Sequence, residues 1–254
     1  MIPLAAENAI QEAADLIRSA RHVVVLTGAG ISTPSGIPDF RSQKTGLWTK
    51  DDPMQVASFS AFKYRPEAFF NWLRPLAEKI WQARPNPAHI GLAELEAAGL
   101  IEAVITQNID GLHQEAGSKT VLELHGSARS ADCPHCRKTY PADVFRQSFM
   151  AGGIPRCPQC STILKPAIVL FEEMLPTDVW EEASWQCEQA DVMLVVGSSL
   201  EVIPAAGLPR LALEHQARLI INTMSTTYLD GQAQILLPYD VAEIIPLIRK
   251  AAAV

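Results

Sequence analysis

His22-Val23-Val24-Val25-Leu26-Thr27-Gly28-Ala29-Gly30 reads as a short β-branched strand that runs straight into a glycine turn. A strand followed by glycines is how a parallel nucleotide-binding sheet begins, because backbone N–H groups can then approach a pyrophosphate. Upstream, residues 5–20 are rich in Ala, Leu and Ile at helical spacing. Downstream, 101–106, 121–124, 167–171, 192–196 and 218–221 are further near-continuous apolar runs, as expected of strands covered on both faces. Helical stretches separate them. Asn86-Pro87 supplies an N-cap and a first-turn proline for a helix that Gly99 closes. Asp178 and Glu181 form a capping-box pattern, and residues 240–253 read as a helix interrupted by Pro246. The alternation predicts an α/β fold, a Rossmann-like doubly wound parallel sheet.

Two regions break that alternation. Residues 43–83 are rich in aromatics and prolines, and 127–165 hold cysteines and turn residues with little apolar periodicity. Residues 1–43, 84–126 and 165–254 are therefore assigned to the sheet domain. Two inserts, a helical one at 44–83 and a zinc-ribbon-like one at 127–164, form a smaller domain.

At 254 residues the chain is one large domain or one domain with an insert, and its 48% hydrophobic fraction supports a substantial core. The net charge of −7 argues against a protein that coats nucleic acid. It suits a basic partner such as a Lys-rich peptide segment, although colloidal solubility accounts for it equally well. No run approaches the ~18–20 apolar residues that span a bilayer, and no positive segment precedes an apolar one at the start. The expectation is a cytoplasmic protein with no membrane contact.

Cys133/Cys136 and Cys157/Cys160 are two Cys-X-X-Cys pairs with 20 residues between them, at the edge of zinc-ribbon spacing. Four thiolates close a tetrahedron with no open position, so the expected Zn2+ is structural. The insert is too small and too poor in apolar residues to hold itself otherwise. Two redox dithiols would share the pattern, but Pro134 and Pro158 inside the pairs favour zinc knuckles. Cys187 shares a helical face with Val179 and Ala183 and reads as a buried core thiol.

The loop at Gly28, Ala29 and Gly30 carries only part of a dinucleotide fingerprint. Its third glycine would fall at Thr33, and no acidic residue ends a second strand about 20 residues on. A plain strand-to-helix turn fits the same residues, and the missing features disfavour a hydride-transfer enzyme. Gly36-Ile37-Pro38-Asp39-Phe40-Arg41 is a proline-fixed turn. Arg41 suits a phosphate, Asp39 a polar ligand group and Phe40 a planar ring, while a surface Asp–Arg pair is the plainer reading. Thr106-Gln107-Asn108-Ile109-Asp110 ends one expected strand and His125 the next. Ligands of open parallel sheets bind at such carboxyl ends. An imidazole there, with Gly126 clearing space beside it, can take a proton near neutrality. His113 is the rival base but falls in an expected helix, and His135 lies within a knuckle.

Together, Gly28 to Ser32, Gly36 to Arg41, Thr106 to Asp110, Leu124-His125-Gly126, both Cys-X-X-Cys pairs, Lys165-Pro166 with Val169 and Phe171, Gly197-Ser198-Ser199-Leu200 and Ile221-Asn222 resemble the sirtuin family, the NAD-dependent protein-lysine deacylases. The resemblance covers nearly the whole chain from about His22, and its specificity comes from the order and spacing of the motifs. It implies that NAD lies between the sheet domain and the small domain. The implied NAD contacts are Gly28, Ala29, Gly30, Asp39, Phe40, Arg41, Gln107, Asn108, Ile109, Asp110, Gly197, Ser198, Ser199 and Asn222. It also implies a peptide bound as an added strand against Val169, Phe171, Glu172, Leu200, Glu201 and Val202. His125 and Asn108 are the implied catalytic residues. Asn108 and Asp110 would receive the nicotinamide, and the acyl oxygen would capture the ribose carbon that nicotinamide leaves. His125 would then act as general base on a ribose hydroxyl, giving free lysine, nicotinamide and O-acyl-ADP-ribose. The implied partners are acetylated lysine-containing proteins or peptides, with no direct nucleic-acid contact. The enzyme is expected to be a monomer.

This chain departs from the family pattern twice. It has Phe171-Glu172-Glu173 where the family usually has Phe-Gly-Glu, which puts a side chain beside the substrate backbone. Members that prefer acidic acyl groups carry a Tyr and an Arg three residues apart, where this chain has Phe70 and Leu73. An apolar pocket cannot pair a buried carboxylate, so acetyl or longer apolar acyl groups are expected over succinyl. Protein mono-ADP-ribosylation at the same NAD site is the main alternative. A non-catalytic zinc-and-nucleotide module and a nicotinamide oxidoreductase are the others.

Overall fold

A computed structural model describes residues 4–39 and 52–252; Phe40 and Arg41 lie outside the described residues. The strands are β1 (Val23–Thr27), β2 (Ala103–Thr106), β3 (Val121–Glu123), β4 (Gly126–Asp132), β5 (Thr139–Pro141), β6 (Lys165–Ile168), β7 (Val192–Val196), β8 (Arg218–Asn222) and β9 (Ile235–Leu237). The helices are α1 (Leu4–Ser19), α2 (Pro53–Val56), α3 (Phe59–Tyr64), α4 (Pro66–Gln82), α5 (Pro87–Ala97), α6 (Leu112–Ala116), α7 (Arg146–Met150), α8 (Thr177–Gln189), α9 (Leu208–Glu214) and α10 (Val241–Ala252).

Six strands form one parallel sheet in the order β3-β2-β1-β7-β8-β9. Every residue of β1 is buried. Val23 and Val25 pack into one apolar cluster with residues of α1, α5 and α10, while Val24 and Leu26 pack into another with α8 and α9. With both faces covered, alternation disappears from the sequence and the strand reads as a continuous apolar run. The chain steps outward from β1 to β3 and later returns to β7 on the other side of β1. That reversal is the topological switch point, where the loops leaving adjacent strands part and make room for a ligand.

Glycines bring the loops after β1 and β7 into contact. Gly30 N donates to Gly197 O at 2.8 Å, and a Cβ on Gly30 would lie 2.7 Å from that oxygen. Gly197 has φ +63, the left-handed region that favours glycine. Asn86 caps α5 as expected and forms a capping box with His89 that was not foreseen, while its Nδ2 donates to Ile31 O at 2.7 Å and Ser35 Oγ at 2.9 Å. One side chain thus starts a helix and pins the loop after β1.

β4, β5 and β6 make a separate antiparallel sheet. The run at 167–171, expected in the parallel sheet, is instead the end of β6 and the loop that follows. Its first three strand residues, Lys165, Pro166 and Ala167, are half-buried, and Ile168 and Leu170 turn toward an apolar cluster shared with α4. α8 also starts differently from the capping-box expectation. Pro176 occupies its N-cap with no side-chain cap bond, so Asp178 lies inside the first turn and acts there by charge. β9 was not expected, because three residues carry no readable period. Cys187 is fully buried beside Ala183, with the partly buried Val179 packed against the same cluster, and burial pushes its thiol up to about 12, far from a nucleophile.

Phe62, Phe69 and Phe70 of the helical segment contact one another edge to face, and Phe70 in turn meets Phe149 of the cysteine-bearing insert, with centroids 5.9 Å apart. A further small cluster surrounds the cysteines.

Candidate active site

A cleft of about 1220 Å³ opens at the carboxyl ends of β1, β2 and β7. It exceeds the ~300–1,000 Å³ usual for a single small ligand, so a dinucleotide and a substrate side chain can share it.

The polar base of the cleft is built by one network. Thr27 Oγ1 donates to Thr106 Oγ1 at 2.8 Å, and Thr106 Oγ1 also accepts from Asn108 N at 3.0 Å, which turns the chain sharply after β2. Asn108 Nδ2 donates to Gly28 O at 3.1 Å and Ser32 Oγ at 3.0 Å. Ser32 Oγ in turn donates to Asp110 Oδ2 at 2.7 Å, and Leu112 N donates to Asp110 Oδ1 at 2.9 Å. Both Asn108 amide protons are used on protein acceptors, which leaves Oδ1 as the remaining hydrogen-bonding atom of the side chain. Burial raises the Asp110 carboxyl above its ordinary value, and the bonds from Leu112 N and Ser32 only partly oppose this.

His125 follows β3. Its Nδ1 donates to Gln107 O at 2.8 Å, which fixes the tautomer and leaves Nε2 as the basic nitrogen. The backbone is held just as firmly, since Val169 N donates to His125 O at 2.8 Å. Gly126 has φ +72, and a Cβ there would lie 2.2 Å from Ala167 O, so no other residue fits beside this histidine. Burial lowers the His125 pKa from 6.5, with the Gln107 bond working the other way. A lowered value keeps the neutral, base-competent form present below pH 6.5. The kcat/KM of the chain is therefore expected to stay level as pH falls through 6.5 and to drop only at lower pH. Initial rates of nicotinamide release across the acid range check this; an acid limb centred above 6.5 contradicts it.

Gly28, Ala29, Gly30, Asp39, Gln107, Ile109, Gly197, Ser198 and Ser199 also line the cleft, as do Val169, Phe171, Glu172, Glu201 and Val202. Gln107 Nε2 donates to Ser198 Oγ at 3.1 Å and so spans the switch point. Two expected residues lie off the wall. Asn222 is fully buried, and its Nδ2 donates to Leu237 O at 2.8 Å and Tyr239 O at 3.0 Å, holding the chain beyond β9. Leu200 is 4% exposed with φ +55, and its side chain joins the core under α8 and α9. A left-handed backbone costs a residue with a side chain about 1–2 kcal/mol, which burial of a leucine offsets. The sequence reading passed over Ser32, the hub of the network, and over Thr223, Met224, Tyr239 and Asp240 on the β8 side. The motif Gly28 to Ser32 contained Ser32, but nothing in its type distinguishes a hub from a turn residue. His113 is buried away from the cleft, with Nε2 3.0 Å from Thr27 Oγ1 and its ring 4.9 Å from that of His89. Burial and the neighbouring His89 hold its pKa at about 3.

The four cysteine sulfurs lie within 4.8 Å of one another. Cys133 and Cys160 sulfurs are 3.4 Å apart, and Cys136 and Cys157 sulfurs 3.6 Å. Four thiolates around zinc at a Zn–S distance of about 2.3 Å stand roughly 3.8 Å apart, so the donor set fits Zn2+ in a closed structural site. The Tyr140 hydroxyl sits 3.3 Å from Cys157 Sγ, where it can donate to the thiolate.

The sequence matches the profile of the Sir2 family over residues 28–204. It is 46% identical to "NAD-dependent protein deacylase 2" of Archaeoglobus fulgidus, across 95% of each chain. A structure solved for work on the mechanism and regulation of Sir2 enzymes superposes with a TM-score of 0.90 at 45% identity, covering 97% of this chain and 98% of that one. Sir2Af2 bound to a myristoylated histone peptide superposes with a TM-score of 0.83 at 40% identity, covering 97% of both chains. A parallel sheet with its cleft at the switch point, a histidine tied to the β2 loop and a four-cysteine insert therefore sit in a chain that belongs to the Sir2 (sirtuin) family.

Proposed function

We propose that this chain removes acyl groups from lysine side chains of proteins and consumes NAD in doing so. The observation that carries the reading is the His125–Gln107 bond, which leaves a neutral Nε2 in the same cleft as Asn108 and Asp110. NAD, when bound, supplies a ribose carbon that nicotinamide can leave. Asn108 and Asp110 would hold its carboxamide end, the Gly28 and Gly197 loops would hold its phosphates, and His125 Nε2 would accept a proton from a ribose hydroxyl. Val169, Phe171 and Glu172 on one lip and Glu201 and Val202 on the other grip the peptide. Zn2+ on the four cysteines holds the insert and takes no part in the reaction.

Residues 1–43, 84–126 and 165–254 would act as the NAD-binding domain, and 44–83 with 127–164 as the small domain. The apolar cluster shared by α4 and the insert supports that division, with β6 crossing into the small sheet. Free thiolates favour a reducing, cytoplasmic setting. Among the described residues no helix is long and apolar enough to cross a membrane.

Leu73, Leu76, Ile80, Ile168 and Leu170 line the cleft, and Phe70 is buried behind them. Such a wall accepts apolar acyl groups and leaves a carboxylate unpaired. The myristoylated peptide held by Sir2Af2 supports the longer chains. The test is incubation with NAD and matched acetyl-, myristoyl- and succinyl-lysine peptides. Expected are nicotinamide and O-acyl-ADP-ribose in equal amounts, with acetyl and myristoyl removed faster than succinyl. Faster succinyl removal overturns the acyl preference. ADP-ribose appearing on the peptide itself overturns the reaction.

A further inference from the structure

We infer that Glu172 is a positioning residue whose carboxylate ties the peptide lip of the cleft to the segment at 57–60 and so orders the lip before a peptide arrives. The inference rests on the deacylase reading and deepens it. The lip leaves β6 and runs along the cleft through Val169, Phe171, Glu172 and Met174. Phe171 is paired on both of its backbone groups: Phe59 N donates to Phe171 O at 3.0 Å, and Phe171 N donates to Ala57 O at 3.1 Å. Glu172 comes next with φ +75, the left-handed region in which a glycine would be at ease. From there its Oε2 accepts from Ser60 N at 2.8 Å.

Ser60 N belongs to the first turn of α3, where N–H groups have no partner within the helix. Ser58 Oγ satisfies Ala61 N at 3.0 Å, and the lip supplies the acceptor for Ser60 N. The other side of the lip is fixed as well. Glu173 Oε2 accepts from Leu170 N at 2.9 Å and pairs with Lys165 Nζ at 2.8 Å. The lip is therefore fastened to β6 by Glu173 and to the helical segment by Glu172. A glycine at 172 would take the backbone angle freely but offer no acceptor. An ordered lip spares an incoming peptide the entropy of ordering it. The effect belongs to peptide binding, since Glu172 touches neither the His125 bond nor the network at Asn108.

The test uses the full chain with E172Q, E172A and E172G, each checked for an unchanged melting temperature. Peptide and NAD are varied in turn. Glutamine keeps an oxygen acceptor, so E172Q should match the wild type in every constant. E172A and E172G should raise the peptide KM about fivefold, the worth of one such bond, with kcat and the NAD KM unmoved. An unchanged peptide KM in E172A overturns the inference. So does an E172Q as impaired as E172A, which would assign the effect to charge, or an E172G equal to wild type, which would reduce it to backbone strain. Hydrogen exchange over residues 57–61 separates this inference from the deacylase reading. Exchange should be faster in E172A than in wild type or E172Q. If it is not, the tie is absent whether or not the chain deacylates peptides.

Discussion

His125→Ala is expected to lower the deacylation rate by about 10²–10⁴, the usual range for loss of a general base, while NAD still binds. The substitution removes a ring whose Nδ1 is held by Gln107 O and whose Nε2 is the basic atom. It leaves the backbone bond from Val169 N to His125 O intact, so the lip of the groove keeps its anchor. Nor does it touch the network of Thr106, Asn108, Ser32 and Asp110 that shapes the base of the cleft. NAD affinity, measured by titration, should therefore change little, and the loss should fall on kcat. His125→Asn sharpens the test. Its amide can still donate to Gln107 O but supplies no base at pH 7, so a positioning role would be rescued and a catalytic role would not. We expect asparagine to be as slow as alanine. An asparagine variant with near-normal turnover would remove His125 from the chemistry.

Much of this site was legible in the sequence because strand ends and glycines mark it. The run 23–27 could be read as a buried strand because both its faces are apolar, and Gly28 and Gly30 marked the turn that follows. Once Thr106 and His125 were placed at strand ends, the parallel topology put them in one crevice. The failures share a cause, which is that local pattern does not report tertiary partners. Residues 167–171 carry the composition of a central strand, yet β6 pairs antiparallel with β4 because the zinc insert delivers it there. Asn222 does not line the cleft: its Nδ2 is used on Leu237 O and Tyr239 O, beside a strand too short to be foreseen, while its Oδ1 has no hydrogen-bond partner among the described residues. Leu200 faces the core because its left-handed backbone turns its side chain away from the groove. The reason a glutamate is tolerated at 172 lies 112 residues away in sequence, at Ser60.

Cys157→Ser is expected to abolish both bound zinc and activity, even though the cysteines lie outside the cleft. The reason is where the two pairs sit along the chain. β4 begins at Gly126, directly after His125, and ends one residue before Cys133. Cys160 lies five residues before β6, whose far end leads into the lip at Val169. The metal thus clamps the outer ends of two strands whose inner ends carry the base and the peptide groove. Around the cysteines the apolar packing is thin, with Ala131 and Leu164 the other buried members of that cluster, while Phe149 further along the insert packs against α4. Structural zinc contributes on the order of 10 kcal/mol to folding in small zinc-bound peptides, far more than two such side chains. Neither of the two clusters that sandwich the parallel sheet draws a residue from 127–164, so that sheet should survive. The expected result is a protein with less than a tenth of the wild-type zinc content, most of its helical circular-dichroism signal and no measurable deacylation. Hydrogen exchange should rise across 126–168 and stay low in β1, β7 and β8. Chelation of the wild-type protein should reproduce this, and zinc should reverse it. A zinc-free protein with full activity would mean that the sheet of β4, β5 and β6 holds itself together, and the metal would lose its part in positioning His125.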